Sequence, residues 1–476
     1  MSIFKSSLFA ATALALLAPS AASAGGFKRV ASFPVFENTD VDEETVAEII
    51  AAARNGRTLV YTDGEFGGVG FVDIRRPDEP EADGFIALEG EPTSVAVAGP
   101  FAVVSLNTSE DLINTSGELV VIRLTNRRIV RTIPLSGQPD AISVSPDERF
   151  IAIAIENERD EDLGDGFPPQ APAGELFVVD SASNNPARWT TTAVPLTGLG
   201  IAFEDDPEPE FVDINEANIA VVTLQENNAA ALVDLEAAFA DPAGAVVGAF
   251  DLGAVDLDNI DTEENELIEL TSALAGVPRE PDAVTWIDDE TFATANEGDL
   301  VGGSRGFSIF SDNGDALFDI GPIFDQVTVA LGHYPEDRSE NRGNEPEAVL
   351  FAEFGGDRLL FVGSERSSAV AVFELDDENT PSLLQVLPTG VAPEGLLAIP
   401  RRDLLVVAAE DDERDDGIRS SVSIYEYDGE IDYPLIQSTT GENGTPVPWG
   451  ALSALAVNPE GGLLTVHDSF YRNTRI

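Results

Sequence analysis

Apolar residues recur along this chain in short stretches, and the residues that introduce those stretches repeat a pattern. Six copies read Ala47-Glu48-Ile49-Ile50, Pro139-Asp140-Ala141-Ile142, Pro209-Glu210-Phe211-Val212, Pro281-Asp282-Ala283-Val284, Pro346-Glu347-Ala348-Val349 and Pro393-Glu394-Gly395-Leu396. In each, a proline or small residue is followed by an acid and then by apolar residues. A seventh copy, Pro92-Thr93-Ser94-Val95, keeps the proline and lacks the acid. Each copy opens a block of four short apolar stretches. In the second block Ser94 to Ala98 alternates, Phe101 to Leu106 is apolar, Glu118 to Leu124 alternates and Ile129 to Leu135 follows. Short alternating or apolar runs bounded by Gly, Pro, Asn and Asp are strands joined by tight turns. Four such strands make one blade, and a repeated blade makes a ring. The predicted fold class is all-β, a seven-bladed β-propeller of four-stranded blades over residues 25–440. The blocks start near Val46, Pro92, Pro139, Pro209, Pro281, Pro346 and Pro393.

The first block has a competing reading. Asp42 to Ala53 has the composition of a capped helix, yet Glu48-Ile49-Ile50 falls in register with the repeat, so a strand is expected there. Three blocks carry insertions: Asn157 to Ala173 is acidic and proline-rich, Asp251 to Ala275 is read as holding a short helix, and Gln326 to Asn344 is polar and arginine-rich. Insertions in repeat proteins commonly decorate the binding face. A further apolar stretch, Trp449 to Val457, begins after the ring is complete. It is read as the start of a truncated second domain over 449–476, with a strand that closes the ring as the competing reading.

Composition narrows the function. The first 24 residues read as a secretory signal, with Lys5, the apolar run Leu8 to Leu17 and the small residues Ala22-Ser23-Ala24. The mature chain is therefore expected to be secreted or periplasmic, and no segment is long enough to span a membrane. The absence of cysteine excludes disulfides, thiolate catalysis and Cys-ligated metals. Lys+Arg is 26 against Asp+Glu 86, a formal net charge of -60, which repels nucleic acid and anionic membrane surfaces. Such a balance suits solubility in salty surroundings, and it also suits capture of hard divalent cations by oxygen ligands.

In a propeller the first strand of each blade lines the central channel, and the second-to-third-strand loops lie on the face where the first strands begin. The polar ends of the second strands here are Asp63 and Glu65, Asn107, Glu156 to Glu158, Glu226 and Asn227, Asn296 and Glu297, Glu365, and Glu410 and Asp411. Two acidic rings around one channel mouth are therefore expected. The candidate metal ligands are Glu48, Asp140, Glu210, Asp282, Asn296, Glu297, Asp299, Glu345, Glu347, Glu365 and Glu394, and calcium is the candidate cofactor. Basic residues are scarce, so Arg305, His333, Arg338, Arg342 and Arg366, which fall in two neighbouring blades, form a candidate site for an anionic ligand. Pairing of these arginines with nearby carboxylates is the competing reading. The chain shows no nucleophile–base arrangement, Gly-rich phosphate loop or Gly-x-Ser-x-Gly elbow.

Several motifs resemble a known family. Thr294-Ala295-Asn296-Glu297-Gly298-Asp299, Ser304-Arg305-Gly306-Phe307-Ser308-Ile309-Phe310, Asn344-Glu345-Pro346-Glu347, Val362-Gly363-Ser364-Glu365-Arg366 and Ala392-Pro393-Glu394-Gly395-Leu396 resemble the secreted choice-of-anchor I propellers, related to mesenchyme-specific cell-surface glycoprotein. The repeat architecture is similar to that of YVTN and WD40 propellers. The tail, Trp449 to Asn458 with His467-Asp468-Ser469-Phe470-Tyr471, resembles the opening of the phytase-like domain, also called esterase-like activity of phytase. The first resemblance implies an exported propeller. The second implies calcium-dependent phosphoester hydrolysis in a longer architecture, without catalytic residues assignable in this chain. Two functions follow as expectations: a cation- and ligand-binding propeller associated with such hydrolysis, or a non-catalytic binding or adhesion scaffold with a surface protein as partner.

Overall fold

A computed structural model describes residues 25–53, 55–428, 435–468 and 471–472. The expected secretory signal at 1–24 lies outside them. Seven four-stranded antiparallel sheets form a ring, a seven-bladed β-propeller. Their innermost strands are Ile50–Ala52, Glu91–Ala98, Pro139–Val144, Pro209–Ile214, Val284–Trp286, Pro346–Phe354 and Pro393–Ile399. The contested first block is a strand, as its register required. No helix among the described residues is long and apolar enough to cross a membrane.

The repeated phrase has a structural meaning. In five blades the first strand carries one more residue than its partner at this point. Pro139 pairs Ile155 and Ile142 pairs Ile153; Pro209 pairs Leu224 and Val212 pairs Val222. The same slip lies between Pro346 and Ala348, Pro393 and Leu396, and Pro92 and Ser94. Proline has no N–H for the ladder, so a bulge is tolerated where it stands. A bulge bends the strand and redirects the side chain of the extra residue. That extra residue is Asp140, Glu210, Glu347 or Glu394, and in the second blade the neutral Thr93. Before three of the prolines the backbone is left-handed, with φ of 43° at Glu280, 46° at Glu345 and 54° at Ala392. A residue preceding proline ordinarily stays extended, so these junctions are held by their surroundings.

The closing strand comes from the N-terminus. Phe27–Pro34 pairs antiparallel with Ser421–Tyr427 and completes the seventh blade. Phe27 is fully buried, and its ring meets Phe354 and Phe361 edge-on at centroid distances of 5.1 and 5.4 Å. Gln385 of the sixth blade bonds both Phe27 N–H and C=O at 2.9 Å, so one residue ties two blades together. Beyond the ring, Leu452–Val457 and Leu463–His467 form a separate two-stranded sheet, which leaves the reading of the tail as the closing strand without support. Residues 254–278 form a hairpin of Ala254–Ile260 with Ser272–Pro278, not the expected short helix. The alternation of Val255, Asp256, Leu257 and Asp258 has period two, which a hairpin satisfies and a helix does not. The third insertion does contain a helix, Ile323–Leu331, buried along most of its length.

Candidate functional site

The inner strands enclose a channel of about 990 Å³. Asp140, Glu210, Asp282, Glu347 and Glu394 lie at its first-strand end, with apolar residues such as Ile142, Val284 and Leu396 further in. Glu48 completes the acids of this ring from the first blade. The second ring interlocks with the first through carboxyl-to-carboxyl contacts, pairing Glu156 with Glu210 and Glu410 with Glu394. Gly64 has no room for a side chain because an added Cβ would stand 2.5 Å from Glu48 Oε1. The two acidic rings expected around one mouth are thus brought together.

Burial and mutual repulsion hold these acids in the protonated range. Desolvation, then the Glu410 and Asp63 charges, raises Glu48 to about 8. Desolvation, then the Glu158 charge, raises Asp140 to about 7. Glu156, Glu210, Asp282, Glu347 and Glu394 are pushed well above the carboxylate range, again by desolvation first and by neighbouring carboxylates second. Half-buried acids that line a narrow channel without a counter-charge behave in this way.

The mouth is electrically uneven. Two groups of three carboxylates each offer oxygens within 4.8 Å of one another, Asp140 with Glu156 and Glu210, and Glu297 with Glu345 and Glu365. The second group has its own cations. Glu345, fully buried, accepts from Arg338 Nε at 2.7 Å and from Arg366 Nε at 2.8 Å. Arg366 Nη1 stands 2.8 Å from Glu365, and Arg342 Nη1 stands 3.8 Å from Glu297. No basic residue is among the causes that set Asp140, Glu156 or Glu210. Beside this uncompensated group, Glu226 is 5% exposed and is paired with Arg159 and, carboxyl to carboxyl, with Asp299. Glu347 and Glu394 each keep one oxygen without a hydrogen-bond partner among the described residues.

Other predicted residues serve the frame. Asn296 is fully buried, accepts from Thr294 Oγ1 at 2.7 Å and donates to Ser304 and Ser308 at 3.0 and 2.8 Å. Asp299 is bridged by Arg159 Nη2 at 2.5 Å and Arg342 Nη2 at 3.1 Å. Arg305 is 1% exposed and donates to the carbonyls of Asp261, Ser339 and Asn341 and to Asp325. It ties the third insertion to the ring and has no face for a solute. His333 is exposed, and its Nδ1 lies 3.0 Å from the Ser367 carbonyl, which fixes Nδ1 as the donor.

Arg159 belongs to the mouth although the candidate set omits it. It lies in the acidic first insertion, is 6% exposed, and binds Glu226 at 2.8 Å as well as Asp299. Its signal in the sequence was its own scarcity, a lone arginine between Glu158 and Asp160. Local sequence could not show that this insertion reaches across to blades four and five.

The choice-of-anchor I domain family matches residues 48–302 and 300–378. No curated protein matches the sequence. Among solved structures, the chain is similar to the RRP9 WD40 repeats, with TM-score 0.55 at 10% identity over 85% of this chain and 99% of that one. U3-55K gives 0.53 at 11% identity, over 86% and 100%. Kuenenia stuttgartiensis hydrazine synthase gives 0.49 at 14%, over 82% and 99%. At such identities the first two show the propeller fold alone. The match to the family spans most of the ring and every motif from Glu48 to Arg366, and this chain belongs to the choice-of-anchor I family.

Proposed function

We propose that this chain is an exported, non-catalytic propeller that captures a divalent cation, calcium by preference, in its channel mouth and uses it to engage an anionic ligand or a surface partner. The observation that carries the reading is the uncompensated group Asp140, Glu156 and Glu210, whose oxygens lie within 4.8 Å of one another. Carboxylates set on different blades can adjust their distances to a large ion, which suits calcium better than the compact octahedron of magnesium.

Phosphoester hydrolysis is the second reading. It draws on rim arginines beside carboxylates, a setting in which a cation could polarise a phosphoryl oxygen. The family match ends at residue 378, short of the tail that carries the phytase resemblance, so this reading gains nothing from it.

The test is a thermal melt of the mature chain with calcium, magnesium or neither. A ligand bound only by the folded state at 100 times its dissociation constant adds about 2.7 kcal/mol. A calcium-specific rise that disappears in Glu210→Gln supports capture. Equal melts under all three conditions would reject it. Release of phosphate from a phosphomonoester by the calcium-loaded chain would favour the second reading.

A further inference from the structure

The compensated half of the mouth is built differently from the other half, and its arginines have donors to spare. Asn344 and Glu345, adjacent in sequence, do separate work. Asn344 is fully buried; its Oδ1 accepts from Thr328 at 2.8 Å and Ser367 at 2.6 Å, and its Nδ2 donates to Asp325 at 2.5 Å. This locks the loop that carries Arg366 onto the helix Ile323–Leu331. Glu345 then spends one oxygen on each of two arginines, and in both cases the bond is made by Nε. In a guanidinium held through Nε, one Nη lies on the same edge as the Nε–H, beside the carboxylate, and the other points away. Neither Nη of Arg338, nor Nη2 of Arg366, has a hydrogen-bond partner among the described residues. Both side chains reach the surface, at 30% and 43% exposure, whereas the Glu345 beneath them has none. His333 is fixed on the same loop through Ser367.

We infer that Arg338 and Arg366, splayed on the buried Glu345, form an oxyanion subsite on the rim, which takes a carboxylate, phosphate or sulfate group of a ligand. The two free Nη groups of Arg338 match two oxygens on one centre, Arg366 adds its free Nη2 while Glu365 holds its Nη1, and donors fixed by one post lose little freedom on binding. The inference deepens the proposed function and rests on it only for the anionic character of the ligand, since the subsite requires no cation.

The experiment uses the full mature chain, stripped of divalent cations on a chelating resin. It is titrated calorimetrically with inorganic phosphate, acetate or chloride at matched ionic strength. Saturable binding of phosphate or acetate over chloride is expected, and the stronger of the two identifies the group. Arg338→Gln and Arg366→Gln each weaken it by about tenfold or more, the usual worth of a charged hydrogen bond. Arg366→Lys keeps the charge and the fold, checked by near-UV circular dichroism, and still weakens binding, because one ammonium cannot serve Glu345 and a ligand together. Oxyanions that do no more than chloride, or variants that bind like the parent, overturn the inference. A calcium titration of the same sample reads the acidic half separately, so either half can fail alone.

Discussion

Calcium binding at Asp140, Glu156 and Glu210 should expel protons. In the cation-free protein desolvation and like-charge repulsion raise Asp140 to about 7 and hold Glu156 and Glu210 well above the carboxylate range. Asp140 is therefore about half protonated at pH 7, and Glu156 and Glu210 are displaced toward the protonated form. All three must ionise to serve as ligands, so protons leave as the ion binds. Affinity therefore rises with pH through the neutral range. The direction for stability follows from the same shifts. A carboxyl whose folded pKa lies above its unfolded value opposes folding once it must ionise. Without cation, stability should fall as pH rises from about 4 to 7, and calcium should remove that slope.

The assay is isothermal titration calorimetry of calcium in PIPES and in Tris at pH 7. The two buffers take up protons with different heats, so the difference in apparent enthalpy counts the protons released. Glu210→Gln should lower the count and weaken binding. Identical heats in the two buffers would refute the reasoning, because they would mean that the mouth is already ionised before the cation arrives.

Three further outcomes are expected. Arg159→Met should cost about 3–5 kcal/mol in urea unfolding, because it strands Glu226 without its cation and leaves Asp299 with Arg342 alone; adding Asp299→Asn should recover part of that loss. Phe27→Ala should cost about 3–5 kcal/mol in the same assay, since it empties the aromatic contact that closes the ring. Arg305→Lys should loosen the third insertion, seen as faster amide exchange over residues 336–343 with the blade strands unchanged, because an ammonium cannot reach three carbonyls and Asp325 together.

Much of this was legible in the sequence because a repeat shows its own register. In five blocks the opening phrase is a bulge, and a bulge needs only what a sequence displays, a residue without an N–H and one extra position. The acids of the first ring could therefore be placed without knowing any contact. The closing strand could not, because Phe27 to Pro34 resembles any apolar stretch and its partner lies almost 400 positions away in sequence. The arginines were legible as a group but not by role. Arg305 and Arg366 stand in equally polar stretches, yet one is swallowed by the third insertion and the other stays on the rim. What separates them is burial created by the fold of Gln326 to Asn344, a long-range property. The insertion at 254–278 was expected to hold a short helix, although the alternation of Val255, Asp256, Leu257 and Asp258 already favoured strands.

A coat of acids for solubility does not account for the mouth. Charges that keep a protein soluble act where water reaches them. Asp111 and Asp376 show this on the surface, where hydrogen bonds from neighbouring residues hold both below the ordinary carboxylate range. Four of the ring acids, Asp140, Glu210, Glu347 and Glu394, are placed by bulges, and all stand in the channel against one another, where ionisation is opposed by desolvation and repulsion together. Such a group must bind a counter-charge, either protons or a metal ion. At pH 7 free protons stand at ~10⁻⁷ M, whereas calcium sites of extracellular modules work at ~10⁻⁴–10⁻³ M ion. A proton must therefore hold its carboxylate some thousandfold more tightly than the metal does to keep the place. Asp140, at about 7, sits at the edge of that balance. An exported chain that meets calcium at millimolar levels would keep the mouth metallated, and acidification by one or two units would empty it.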